Sequence, residues 1–213
     1  MYSGITNGIF KVTSLSRTNN LLNYTVKLTG LLCEGLSVGA SVAIDGVCQT
    51  VVAIDGVHIS FQAMEETLNK TTLGQLKIND QVSVERSLAY GDEIGGHEVS
   101  GHVFGTAEII KNHLVDGCAN LTIKCNDQWM KYILPKGFIA VDGSSLTIGA
   151  TNSQNATFNL HLIPETLRVT NFANKKLGDK VNIEVDYKTK TIVDTVERVI
   201  SEKISKGTLQ VIS

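Results

Sequence analysis

The feature that most constrains this chain is that it repeats itself. Ser41–Ala53 (SVAIDGVCQTVVA), laid over Phe138–Ala150 (FIAVDGSSLTIGA) at an offset of 97, gives five identities in 13 positions and three further Val/Ile exchanges. The same offset brings Ser3-Gly4-x-x-x-Gly8 onto Ser100-Gly101-x-x-x-Gly105. At an offset of 99, Glu66–Glu85 lies over Glu165–Glu184 with eight identities in 20. The two extra residues fall between Ala53 and Glu66 in one copy and between Ala150 and Glu165 in the other, where a hairpin turn is expected and insertion is cheap. The 213 residues therefore divide into two copies of one small domain, 1–97 and 98–190, and a tail, 191–213.

The copies read as β-structure. Val26–Leu28, Ser41–Ile44, Thr50–Ile54, His58–Gln62 and Gln81–Glu85 are short β-branched runs, with Asp45-Gly46, Asp55-Gly56 and Asn79-Asp80 as turn signals. The second copy repeats them with Gly137–Val141, Thr147–Ala150, Thr157–Leu162 and Lys180–Val185. Strands this short and closely spaced predict barrels or sandwiches, with turns made by glycine and Asn/Asp, since there are 19 glycines and only 2 prolines. At 42% hydrophobic and 19% charged residues the chain has the composition of a soluble globular protein. A net charge of −2 supplies no basic face for nucleic acid. Apolar runs such as Phe138–Val141 are far short of the roughly 20 residues a membrane span needs. The N-terminus lacks the pattern of a signal peptide. Cys33, Cys48, Cys118 and Cys125 form no C-x-x-C pair and read as reduced thiols of a cytoplasmic protein, with no metal site expected.

Differences between the copies point to chemistry. Asp45-Gly46-Val47-Cys48-x-Thr50 matches Asp142-Gly143-Ser144-Ser145-x-Thr147, so a thiol in one copy stands where a hydroxyl stands in the other. Either both are small residues fitting a tight strand start, or similar ligands are bound in different roles. Gly95-Gly-His-Glu-Val-Ser-Gly-His102 lies at the junction, and His102 falls where the first copy has Ile5. It reads either as a polar linker or as a proton-transfer site. The recurring Glu-Thr-Leu at 66–68 and 165–167 opens a short helical stretch, with Thr67 and Thr166 as expected caps. Lys136 and Asp186 have uncharged counterparts, Gly39 and Ser87. In the tail, Ile192, Val196, Val199, Ile200 and Ile204 recur at helical spacing. That helix either packs on its own domain or associates with another copy.

With these residues in hand the chain resembles the riboflavin synthases of the trimeric alpha-chain type, tandem-barrel lumazine-binding proteins. The resemblance rests on Met1-Tyr-Ser-Gly-Ile, Gly39-Ala-Ser-Val-Ala-Ile-Asp-Gly-Val-Cys48, Gly95-Gly-His-Glu-Val-Ser-Gly-His-Val103, Lys136-Gly-Phe-Ile-Ala-Val-Asp-Gly-x-Ser-Leu-Thr147, His161-Leu-Ile-Pro-Glu-Thr-Leu167 and Val193-Asp-Thr-Val-Glu-Arg198. It implies an all-β fold of two six-stranded antiparallel Greek-key barrels with a C-terminal, trimer-forming helix. It implies dismutation of two 6,7-dimethyl-8-ribityllumazine molecules, without cofactor or metal, at a site between subunits, with lumazine synthase as a further associate. It places Gly4, Ile5, Thr6, Ser41, Cys48, Gln49, Thr50, Gln62, Ala63, Met64, Glu65, Glu66, Thr67, Gly101, His102 and Val103 at the first barrel's pocket. Lys136, Ser145, Leu146, Thr147, Ile163, Pro164, Glu165 and Thr166 line the second. Cys48, His102, Ser145 and Asp186 are its catalytic candidates. The sequence departs from the family pattern at Tyr2, where Phe is usual, at Gln49, where Leu is common, and at Ser144, which replaces an apolar residue. The alternative is a non-catalytic antenna protein of the same fold, which tends to lose the cysteine and histidine motifs present here. A reductase-type flavin barrel would need a nucleotide domain where a second barrel follows.

Overall fold

The computed structural model describes residues 1–18 and 20–206. The first copy comprises β1 (Gly8–Thr18), β2 (Leu21–Lys27), the helical turn α1 (Gly30–Cys33), β3 (Ser41–Ile44), β4 (Val47–Asp55), β5 (His58–Met64), α2 (Glu65–Lys70), a 3-10 turn (Thr72–Gln75) and β6 (Gln81–Arg86). The second has β7 (Gly105–Val115), β8 (Cys118–Lys124), a 3-10 turn (Asp127–Tyr132), β9 (Phe138–Val141), β10 (Ser144–Asn152), β11 (Thr157–Leu162), α3 (Pro164–Val169), a 3-10 turn (Asn171–Asn174) and β12 (Lys180–Val185). Helix α4 (Tyr187–Ser205) follows. Both sheets close into antiparallel barrels with the same Greek-key order, β1-β2-β5-β4-β3-β6 and β7-β8-β11-β10-β9-β12. The length difference between the copies falls in the β4–β5 and β10–β11 hairpin turns, as expected.

Closure follows from local chemistry. Along β5, Ile59, Phe61 and Ala63 point into the barrel while Gln62 and Met64 point out, the period-two pattern of a half-buried strand. Bulges in β1, β4, β7 and β10 add the curl that a small barrel needs. The β3–β4 and β9–β10 hairpins turn at Asp45-Gly46 and Asp142-Gly143, with all four residues at positive φ, the requirement of a two-residue I′ turn. These two turns meet between the barrels. A Cβ on Gly46 would lie 2.3 Å from the backbone nitrogen of Gly143, so only glycine permits the approach.

One expectation is corrected here. The helices α2 and α3 begin at Glu65 and Pro164, so Thr67 and Thr166 are inside them and are not caps. Their carbonyls instead accept bonds from Thr71 and Thr170 as the helices end. Strands β1, β7 and β8 went unread in the sequence. The apolar stripe of α4 is exposed from Ile192 (64%) to Ile204 (42%), and only Val193 packs on the second barrel's core. The helix is tied down at its base by Tyr132, whose hydroxyl donates to Asp194 at 2.5 Å. The last seven residues of the tail lie outside the described residues. Among the described residues no helix is long and apolar enough to cross a membrane.

Candidate functional site

The barrels are related by a local two-fold axis, and the site residues cluster along it. Tyr2 and Val99, equivalent positions of the two copies, exchange backbone hydrogen bonds at 2.8 and 3.0 Å. Beyond each, a Ser-Gly turn is clamped by a buried glutamate of its own barrel. Glu85 accepts from the backbone and hydroxyl of Ser3, and Glu184 does the same for Ser100. Each turn then leans on the opposite barrel. The Gly101 carbonyl accepts from the Cys48 backbone N–H at 2.9 Å, and the Gly4 carbonyl accepts from that of Ser145 at 2.8 Å. A Cβ on Gly101 would meet Cys48, and one on Gly4 would meet Ser145, at about 2.5 Å. The expected grouping is therefore corrected: Gly4 and Thr6 belong to the second barrel's site, where Thr6 also hydrogen-bonds Ser144 at 3.1 Å. The reason is the crossing of the two N-terminal turns at the axis.

Strand alternation sorts the remaining candidates. Cys48 and Thr50 face outward on β4, and Ser145 and Thr147 on β10. Gln49, Ala63 and Leu146, expected to line pockets, point into the barrel cores, so only their backbone is available to a ligand. Gln49 is 5% exposed, and its amide oxygen accepts from the buried Tyr24 hydroxyl. Around Cys48 a cavity of about 320 Å³ is lined by Val47, Cys48, Glu66, Thr67, Gly101, His102 and Val103, among others. Of the other first-barrel candidates, Ser41 is half-buried, while Ile5, Thr50, Gln62, Met64, Glu65 and Glu66 are exposed. His102 also lines a neighbouring cavity of about 240 Å³ with Glu98, Ser100 and Asp186. Asp186 has a structural task as well: its carboxylate caps α4, accepting from the backbone and hydroxyl of Thr189 at 2.7 Å each.

At the second barrel the hydroxyl of Ser145 lies 2.6 Å from Nδ1 of His97, whose ring stacks on Phe138 with centroids 5.2 Å apart. Burial lowers the His97 imidazole below its ordinary pKa, opposed in part by Asp186 and Glu184, so the ring is neutral near pH 7. Lys136, Thr147, Ile163, Pro164 and Glu165 are exposed around it, with Thr166 half-buried. The Glu165 carboxylate is paired with Arg168. Lys136 holds φ at +68° where its counterpart Gly39 holds +91°, a left-handed position at which a lysine is strained.

His97 belongs to the junction motif read as a polar linker or proton-transfer segment, but it was not among the residues assigned to a pocket or to catalysis. It sits before the point where the second copy aligns with Met1, so the repeat offered no counterpart to compare. Its signal was the pair Gly95-Gly96. A Cβ on Gly96 would strike Ser145 at 2.5 Å, so the glycine exists to let this segment lie against the serine.

On the axis behind the hairpin turns, Asp45 and Asp142 are buried side by side. Each accepts from a backbone N–H of its own barrel, of Ser83 and Asn182 respectively, at 2.7 Å. One cation serves both: Lys175 pairs with Asp142 at 3.0 Å, and its counterpart in the first copy is Leu76. Burial, with Asp142 adding to it, pushes the Asp45 carboxyl up to about 7. Burial alone would depress the Lys175 ammonium, but Asp142 and Asp45 outweigh it and hold it above its ordinary value. Asn182 stitches the barrels further, donating to the Asp45 carbonyl and the Thr72 hydroxyl, both at 2.8 Å.

Two fused Greek-key barrels, each presenting a small nucleophilic side chain beneath a turn supplied by the other copy, define a tandem-barrel protein with paired surface sites. The chain belongs to the lumazine binding domain family, whose domain it matches twice, over residues 3–87 and 100–186. It is 47% identical over 204 residues to the riboflavin synthase of Escherichia coli K12, covering 95% of each chain. It is 43% identical over 203 residues to that of Chlamydia pneumoniae, covering 94% of this chain and 98% of the relative. Among solved structures, LumP complexed with riboflavin has the same fold, with a TM-score of 0.81 at 21% identity over 87% of this chain and all of the other. LumP complexed with 6,7-dimethyl-8-(1'-D-ribityl) lumazine gives a TM-score of 0.79 at 20% identity.

Proposed function

We propose that this protein is a riboflavin synthase. The observation that carries the reading is that end-to-end likeness to riboflavin synthases is joined to an intact site on both barrels, with Cys48, His97, His102, Ser145 and Asp186 all present. Two molecules of 6,7-dimethyl-8-ribityllumazine react: one transfers a four-carbon unit to the other, giving riboflavin and 5-amino-6-ribitylaminopyrimidinedione. Atoms balance without an external oxidant or reductant, and the reaction needs one like molecule on each of two like sites. Residues 1–97 and 98–190 are the two lumazine-binding units.

The chemistry needs a base for the C7 methyl of one lumazine, a nucleophile at C7 of the other, and stabilisation of the anionic species between them. His102, exposed at the mouth of the Cys48 cavity, is suited to proton transfer. Cys48 and Ser145 are the two groups able to add at C7 or to hold the water that does, and neutral His97 can take the serine proton in the tautomer that leaves Nδ1 free. Asp186 shares a cavity with His102 and is placed to orient a group bound there. The Thr50, Thr67, Thr147 and Thr166 hydroxyls and the strand-edge backbone hold the bicyclic ring, and the exposed polar residues of both sites hold the ribityl chains.

The second barrel's site is open in a single chain, and the exposed stripe of α4 supports a homotrimer in which one subunit's second barrel faces another's first. The protein acts in the cytoplasm, with lumazine synthase as an associate. The test is direct. The purified protein is mixed with 6,7-dimethyl-8-ribityllumazine, with no cofactor or metal added, and riboflavin is followed by absorbance and fluorescence. One riboflavin for every two lumazines consumed is expected; binding with no riboflavin overturns the reading.

A further inference from the structure

The two equivalent nucleophiles are held by different rings. The side chain of Tyr2 is fully buried on the axis among Ala43, Val99 and Ala140, and its hydroxyl donates to Sγ of Cys48 at 3.2 Å. The Cys48 backbone is already fixed, by the Gly101 carbonyl on its N–H and by pairing with Ala43 across the β3–β4 ladder. What the tyrosine hydroxyl adds is a hold on the sulfur itself. Burial, reinforced by Cys48 and Glu85, raises the phenol well above its ordinary pKa, so it remains a donor at any working pH. In the second barrel the counterpart of Tyr2 is Val99, which has no donor, and Ser145 meets the imidazole of His97 instead. One nucleophile thus receives a proton-bearing group, and the other faces a group able to accept a proton.

We propose that Tyr2 is a positioning residue, whose buried hydroxyl holds the Cys48 sulfur by hydrogen-bond donation and orients it in its cavity. The inference rests on the riboflavin synthase reading for its catalytic consequence, but the Tyr2–Cys48 link is open to test without it. A donor held on the sulfur fixes how it meets the cavity, and the rate of attack on an alkylating agent depends on how the sulfur is presented and on its access.

The test is Tyr2→Phe, which keeps the ring and its packing and removes only the hydroxyl. Site-resolved alkylation by iodoacetamide, read by peptide mass spectrometry, is expected to slow about threefold at Cys48, the one sulfur that loses its holding hydroxyl, and to stay unchanged at Cys33, Cys118 and Cys125. Equal rates at Cys48 in both proteins overturn the link, whether or not riboflavin is made. With lumazine as substrate, Tyr2→Phe is expected to lower kcat several-fold, leave the lumazine Kd within twofold, and have no further effect on kcat in a Cys48→Ala background. An equal loss in that background shows that Tyr2 does not act through Cys48 and overturns the proposal. Failure of the unchanged protein to form riboflavin strikes the functional reading alone, and the alkylation result then decides the link.

Discussion

The two barrels share a strand order and a backbone, yet they satisfy their interiors in different ways. In the first, Tyr24 and Gln49 form a buried hydrogen-bonded pair; at the matching positions of the second stand Leu121 and Leu146. At the crossing turns the polarity is reversed. Thr6 and Ser144 bond over the second barrel, where the matching positions over the first are Val103 and Val47. In both cases the two partners changed character together. A buried polar group left alone costs about 1–3 kcal/mol, whereas a complete polar pair and a complete apolar pair are nearly interchangeable. The copies therefore diverged pair by pair, not residue by residue. Two sequence departures from the family pattern, Gln49 and Ser144, turn out to be halves of such pairs, with their side chains buried.

The strongest way to break the comparison is at the place where the barrels do not differ. Gly46→Ala puts a Cβ into the Gly143 backbone at a left-handed position, and a loss of several kcal/mol is expected, seen as a collapse of soluble yield and of the thermal transition. Gly143→Ala, which meets Gly46 in turn, should match it; a mild effect at either position would mean that the turns can separate.

A smaller effect comes from the buried aspartates. Because the Asp45 carboxyl is raised in the folded state, its contribution to stability is fully present below the unfolded value near 4 and is lost as pH rises through about 7. Asp45→Asn should flatten the dependence of Tm on pH between 5 and 8 and raise Tm at pH 8 by several degrees. Asp142→Asn strips Lys175 of its partner and should be destabilising across that same range of pH. Similar pH profiles for the two variants would remove the asymmetry.

The gentlest test exchanges a core pair. Gln49→Leu alone leaves the Tyr24 hydroxyl without its acceptor and should cost about 2 kcal/mol in urea unfolding. Joined with Tyr24→Leu, which copies the second barrel, it should recover at least half of the loss expected from adding the single variants. Strict additivity would show that the pair is not a unit.

The repeat made most of this architecture legible, because identical turns and Val/Ile exchanges are direct consequences of one pleated, closed sheet used twice. The strands that escaped, β1 and β7, each carry a bulge, and β1 ends in exposed polar residues while β7 ends in exposed Leu114 and Val115, which breaks the alternation a reader looks for. β8 builds its inward face from Ala119, Leu121 and Ile123, too little β-branched material to stand out. Cys48, Ser145 and His102 were legible as differences between copies. Which barrel each N-terminal turn covers was not, since an alignment says that Gly4 and Gly101 are equivalent and nothing about where either goes. Inward-facing Gln49 was misplaced for a similar reason: a motif names consecutive residues, while a strand gives alternate ones to opposite faces.

The crossing of the two N-terminal turns has an evolutionary meaning. Cut apart at the linker, the first copy would lose the Gly101 carbonyl that receives the Cys48 N–H, and no other group of its own chain is placed to replace it. A second molecule of the same half could, by laying its Gly4 where Gly101 had been. The ancestor implied by this geometry is thus a symmetric dimer of single barrels. Fusion of two such barrels would keep that interface and leave each half free to hold its own small side chain by a different ring, as Tyr2 and His97 do here.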